Sequence, residues 1–231
     1  MNDQQIPVLY EDEDTLVIDK PSGMLSEDSP TAPSVVRTLL AHTGGTFLAP
    51  VTRLDREVSG VMLLAKTREG AAYYSTAMAE RKWFEKEYRT VVSGRLAEPS
   101  GEMHDLLFKD SARGKSYVVG RMRRGVKRAS LAYEVLAERE EEGRFLSLLR
   151  ILLHTGRTHQ IRVQTSSRRH PIVGDRKYGG DGAYPMGLVA FRLTFQTRKG
   201  RTVTCTSARI SDAPFSLFAR ETAENVRKGE K

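Results

Sequence analysis

A single cysteine, Cys205, leaves this 231-residue chain no partner for an internal disulfide, so a reducing compartment is the expectation and a cytoplasmic location follows from it. No run of eighteen or more apolar residues occurs, and Met1-Asn2-Asp3-Gln4-Gln5 contains neither Lys nor Arg, so neither a membrane span nor a secretory signal is expected. Metal signatures are missing too. His42, His104, His154, His159 and His170 follow no ligand spacing and no His-Glu-x-x-His segment exists, which argues against zinc catalysis. Nor is there a phosphate loop ending in Gly-Lys-Ser/Thr, and Gly179, Gly180, Gly182 and Gly187 lack the spacing of a dinucleotide fingerprint. No cofactor and no metal are therefore expected.

Acidic residues are scarce in one place above all. Residues 113–128 hold seven Lys or Arg and no Asp or Glu, punctuated by Gly114, Gly120 and Gly125, which reads as loops or a ribbon with a basic face. Over the whole chain 37 Lys+Arg face 29 Asp+Glu, a net charge of +8 that favours a polyanionic partner such as nucleic acid.

The pattern along the chain is that of one α+β domain spanning residues 1–231, with a mixed, largely antiparallel central sheet flanked by helices and loops. Val8-Leu9-Tyr10 and Leu16-Val17-Ile18 read as strands joined by an acidic turn, and Lys20-Pro21-Ser22-Gly23 ends the second. Val35, Val36, Leu39 and Leu40 recur at helical spacing behind Ser34 as a cap. Residues 61–65 form an apolar strand, after which Ala71, Tyr74, Ser75 and Met78 share a helical face. Strands are expected at 88–92, 132–136, 145–153, 188–195 and 202–207, the third and second joined through an acidic turn at 138–142. The charged tail 221–231 is expected to fray.

Two segments carry the chemistry. In Thr52-Arg53-Leu54-Asp55-Arg56-Glu57-Val58-Ser59-Gly60 a lone carboxylate stands between two arginines ahead of an apolar strand, which suits a reactive group on a turn. Taken alone, such an acid is ordinarily a surface carboxylate paired with Arg53 or Arg56. In Thr155-Gly156-Arg157-Thr158-His159-Gln160-Ile161-Arg162-Val163 a strand, glycine turn and short helix are expected, placing Arg157 and Arg162 near a common edge, with His159 as a hydrogen-bonded element of the turn.

These segments resemble the signatures of the RluA-type pseudouridine synthases, His-Arg-Leu-Asp-x-x-Thr/Ser-Ser-Gly-(apolar)-Ala-Lys and Thr-Gly-Arg-Thr/Ser-His-Gln-Ile/Leu-Arg-Val-His. His170-Pro171-Ile172-Val173-Gly174-Asp175-Arg176-Lys177-Tyr178-Gly179 is similar to the stretch that follows in that family. The opening 11–23 and the strand containing Lys86-Glu87-Tyr88 and Val92-Ser93-Gly94 also resemble it, in the same order, over roughly residues 9–205. The chain departs from the pattern at Thr52, where His is usual, and at Gln164, which replaces the final His.

The resemblance implies a pseudouridine synthase-like fold, without the separate N-terminal RNA-binding module of some members. The implied activity is isomerisation of a uridine in structured ribosomal or transfer RNA. It assigns Asp55 as the catalytic acid, Tyr88 beside the base and Arg162 as the cation that keeps Asp55 ionised. Asp55 would act as nucleophile or as base, and the residue types leave both routes open. The uridine must be flipped out, and Arg53 could fill the vacated stack. Arg157 and the basic Arg121, Arg123 and Arg124 are the further RNA-contact candidates. A monomer is expected, with RNA as partner. Two rivals stand beside this reading: a non-catalytic RNA-binding or ribosome-associated module on the same fold, and a metal-dependent nuclease, which lacks its carboxylate cluster.

Overall fold

The computed structural model describes residues 6–40, 43–45, 47–80 and 82–219; His42 and the tail 221–231 lie outside the described residues. In chain order the strands are β1 (Val8–Glu11), β2 (Thr15–Lys20), β3 (Ala49–Pro50), β4 (Ser59–Ala65), β5 (Phe84–Ser93) and β6 (Ser100–Asp110). Then come β7 (Lys115–Val118), β8 (Val126–Glu141), β9 (Arg144–Leu153), β10 (Leu188–Gln196) and β11 (Thr202–Thr206). The helices are α1 (Val35–Leu40), α2 (Arg68–Ala79) and α3 (Gln160–Ser167). The class is α+β, with mixed and mostly antiparallel strand pairing. Among the described residues no helix is long and apolar enough to cross a membrane.

The chain divides into two compact units, Met1–Lys86 with Val189–Arg209, and Glu87–Leu188 with Ile210–Lys231. In the first, β2 pairs antiparallel with β1 and β4, β10 pairs parallel with β4, and β11 closes antiparallel on β10. Both faces of β2 and nearly all of β4 are buried, which is why Leu16-Val17-Ile18 and residues 61–65 are unbroken apolar runs instead of alternating ones. α2 starts at Thr67, whose hydroxyl accepts the Gly70 N–H at 3.0 Å, and delivers Tyr74 into a core with Val17, Leu63, Phe195 and Cys205. α1 is capped as expected, the Arg37 N–H reaching Ser34 Oγ at 3.3 Å.

One glycine at the head of β4 decides the local geometry. Gly60 has φ +115°, and a Cβ there would lie 2.2 Å from the Ala190 carbonyl oxygen of β10. Only glycine lets the parallel partner approach this closely. The strand that follows the Asp55 loop is thereby held in one register.

The second unit is antiparallel in the order β5-β9-β8-β6-β7. The acidic segment expected as a turn over 138–142 is mostly strand: β8 continues to Glu141, and the chain reverses over Glu142-Gly143 alone. Both residues have positive φ, 50° and 73°, the twist that a two-residue hairpin loop demands. β6 was not legible in the sequence because Asp105 falls on the same face as the buried Met103 and Leu107 and interrupts the apolar side of the alternation. Residues 113–128 supply β7, an exposed turn that carries Arg121, Arg123 and Arg124, and the start of β8; β7 and β8 each pair with β6 and not with each other.

Candidate active site

Asp55 sits half-buried in the connection between β3 and β4, and this connection is fastened from below by the segment that ends β2. Leu54, next to it, is buried, and both of its backbone polar groups bond Ser26 Oγ, the N–H donating at 3.0 Å and the carbonyl accepting at 2.7 Å. The Arg56 carbonyl accepts from the Gly23 N–H at 2.8 Å and from Lys20 Nζ at 3.2 Å. Arg56 Nε returns a bond to the Gly23 carbonyl at 3.0 Å, and Ser22 Oγ donates to the Glu57 carbonyl at 2.7 Å. A turn bond from the Val58 N–H to the Asp55 carbonyl, 3.1 Å, completes the loop. The backbone on both sides of Asp55 is therefore tied down. Such fixation is what a reacting group requires.

Lys20 is a buried charge beside the Asp55 loop that the sequence did not single out. Its side chain has no exposed surface, and Nζ donates to the carbonyls of Pro21 at 3.0 Å and Met24 at 2.8 Å besides that of Arg56. Burial pulls its pKa down to about 8, and the negative charges of Asp55 and Glu57 oppose the fall. A buried ammonium beside a carboxylate-bearing loop contributes positive potential there. The signal for it was Lys20-Pro21-Ser22-Gly23, which reads from sequence as a strand stop and as the end of the opening stretch that resembles the family, with no role for the lysine.

Thr52 also belongs to this scaffold. It is buried, its N–H bonds the Leu63 carbonyl at 3.1 Å and its Oγ1 accepts the Leu63 N–H at 2.8 Å, so this departure from the family pattern pins the loop to β4. Arg53 points outward in an ion pair with Glu27 at 2.9 Å, both side chains about two-thirds exposed at 67% and 66%. An exposed pair of this kind is worth little and exchanges readily for another anion.

The second unit holds the other candidates. Tyr88 is half-buried on β5 opposite Ile151 of β9. Arg162 lies on α3 with 2% of its surface exposed, its Nε and Nη2 bonded to the two oxygens of fully buried Asp175 at 2.7 and 2.9 Å. Arg157 does not share that partner: its Nε donates to the Arg128 carbonyl at 3.0 Å, joining the glycine turn to the end of the basic segment. His159 takes a left-handed conformation, φ 55°, and its Nδ1 lies 2.9 Å from the Tyr178 hydroxyl, as befits an element of the turn. Arg121, Arg123 and Arg124 are all exposed, with Arg123 over the Phe108 ring at 5.0 Å. Gln164, the other departure, is buried and donates to the Met103 carbonyl at 3.2 Å and to Asp105 at 2.6 Å, which makes it a packing residue between α3 and β6. Among the described residues no three His, Cys, Asp or Glu side chains gather into a metal-binding group.

The chain matches the family model described as RNA pseudouridylate synthase over residues 14–167. It is 36% identical over 183 residues to an uncharacterized RNA pseudouridine synthase of Aquifex aeolicus, covering 75% of this chain and 56% of that protein. It is 34% identical over 192 residues to ribosomal large subunit pseudouridine synthase D of Yersinia pestis, covering 80% and 56%. The chain thus spans a little over half the length of these curated relatives. In fold it is similar to human RNA pseudouridylate synthase domain containing 1, with a TM-score of 0.76, 24% identity and coverage of 90% of this chain and 85% of that one.

Proposed function

The chain belongs to the RluA-type RNA pseudouridine synthase family, and from that premise we propose that it isomerises a specific uridine of structured ribosomal or transfer RNA to pseudouridine, with Asp55 as the catalytic carboxylate. The bond between ribose C1′ and uracil N1 breaks, the base turns, and C1′ bonds to C5. The C5 proton is lost and N1 gains one, so the reaction balances without oxidant, reductant or external energy. Asp55 acts on the sugar or base as nucleophile, or takes a sugar proton as base. Tyr88 lies against the base, Arg162 supplies positive charge, and Arg53 fills the stack left by the flipped nucleotide while its charge meets phosphate. Arg157 and the turn residues Arg121, Arg123 and Arg124 hold the RNA backbone. The chain works as a catalytic unit in the cytoplasm, as a monomer and without cofactor or metal.

The observation that carries this reading is the fastening of the Asp55 loop. Backbone groups on both sides of one half-buried acid are bonded to the Lys20 to Ser26 segment, an investment that an ordinary surface turn has no use for. The test is Asp55→Asn, which keeps the shape and removes the charge. It should abolish pseudouridine formation on total cellular RNA while RNA affinity changes by less than about tenfold. Substantial turnover by the purified variant would sink the assignment; activity lacking in the native protein as well, with binding intact, would favour the non-catalytic RNA-binding module.

A further inference from the structure

The turn that follows α3 is built around Arg162. Asp175 is wholly buried and engages both Nε and Nη2 of the guanidinium, a two-point fork that fixes the plane of the group as a single hydrogen bond would not. Asp175 Oδ1 also accepts the Lys177 N–H at 3.1 Å, so the carboxylate itself is held. One turn later the Tyr178 ring covers the guanidinium at 5.3 Å, restricting it on its face. Tyr178 is in turn anchored at its far end, where its hydroxyl accepts the Ser116 N–H of β7 at 2.7 Å and meets His159 Nδ1 at 2.9 Å. The turn bearing both residues is rigid: the Tyr178 and Gly180 N–H groups bond the Asp175 carbonyl at 3.1 and 2.8 Å. At Gly174, φ is +78° and a Cβ would lie 2.2 Å from the Pro185 carbonyl oxygen.

Energetics make this arrangement informative. Burying two charges costs several kcal/mol each, and a buried ion pair is often no more stabilising than apolar residues of the same volume. Stability alone gives weak reason for Arg162 and Asp175 to be there. Fixing the plane of a guanidinium does have a use if the direction of its charge matters to a reacting group within a fraction of an ångström.

We propose that Asp175 and Tyr178 are positioning residues for Arg162, setting the plane and direction in which its charge is presented to the flipped nucleotide. The proposal rests on the reading that Arg162 serves that nucleotide. Asp175 and Tyr178 touch no substrate, and their effect on rate passes through Arg162.

A mutant cycle tests this in the full chain, with single-turnover rate at saturating RNA and RNA affinity as separate readouts. Asp175→Asn should lower the rate by about tenfold or more and change affinity less than about threefold, while Tyr178→Phe, which keeps the ring but loses the anchor, costs a smaller factor of about three to five. In an Arg162→Lys background, where a point charge takes no fork, the same two changes should each move the rate less than about twofold. Full additivity in that background would overturn the proposal alone, because the two residues would then act independently of Arg162. An Arg162→Lys enzyme as fast as the native one would overturn the reading of Arg162 itself, and the proposal with it. Should Asp175→Asn fail to fold by circular dichroism, the Tyr178→Phe arm decides by the same criterion.

Discussion

Replacing Lys20 by Met leaves the length of the side chain nearly unchanged and removes its charge and its donors, so it isolates what the buried ammonium does. On stability two effects oppose each other. The carbonyls of Pro21 and Met24 lose their bonds from Nζ, at a cost of about 1 to 3 kcal/mol each, whereas the Arg56 carbonyl keeps its bond from the Gly23 N–H. Against this, removing an ammonium whose pKa is depressed from 10.5 to about 8 relieves about 3 kcal/mol at neutral pH. The net change should lie between about 1 kcal/mol of stabilisation and about 3 kcal/mol of destabilisation, and the fold should survive. Activity has no such compensation, since the loop loses a tie at Arg56 and Asp55 loses a nearby positive charge. The expected single-turnover rate is lower by about tenfold or more.

The pH dependence supplies the diagnostic sign. Below about 8 Lys20 is protonated in the native protein; as pH rises through that value the charge beside the loop is lost and the rate should fall. Stability moves the other way. Between about 8 and 10.5 the unfolded chain binds a proton that the native chain does not, so this group makes native protein more stable as pH rises through that window. Initial rates from pH 6.5 to 9.5, with urea unfolding measured over the same range, should show an alkaline fall in rate near pH 8 that Lys20→Met lacks. A variant with native rate and the same alkaline limb would refute the reasoning.

Three further outcomes are expected. Gly60→Ala should cost at least about 3 kcal/mol, since the new Cβ would lie 2.2 Å from the Ala190 carbonyl oxygen at φ +115°; a thermal midpoint within a degree of native would contradict the close approach. Replacing Arg121, Arg123 and Arg124 together by Ala should weaken RNA binding and reduce the slope of log affinity against log salt by about two to three, whereas an unchanged slope would mean that this exposed turn faces away from RNA. Tyr88→Phe should lower the single-turnover rate by about tenfold or more with affinity altered less than about threefold, and equal losses of both would mark Tyr88 as a uniform contact.

Local pattern was enough for much of this molecule. β2, β4, β10 and α2 were legible because their burial is written into short apolar runs or a helical face, and each lies where those runs lie. The motif around Asp55 and the one ending in Arg162 were legible as spacing of residue types. Where the sequence misled, the cause was non-local. Glu138 to Glu141 looked like a turn, yet pairing with β9 draws them into β8 and leaves two residues of positive φ to reverse the chain. The partners of the candidate site groups were invisible for the same reason. Lys20 and Arg56 stand 36 residues apart, and Arg162 and Asp175 stand 13 apart across a turn whose shape depends on Gly174 meeting Pro185. Residue type announces that a lysine or an arginine is charged. Only the folded chain decides the rest: excluding water from Lys20 loosens its hold on its proton, and closing a two-point fork on Arg162 sets the plane of its guanidinium.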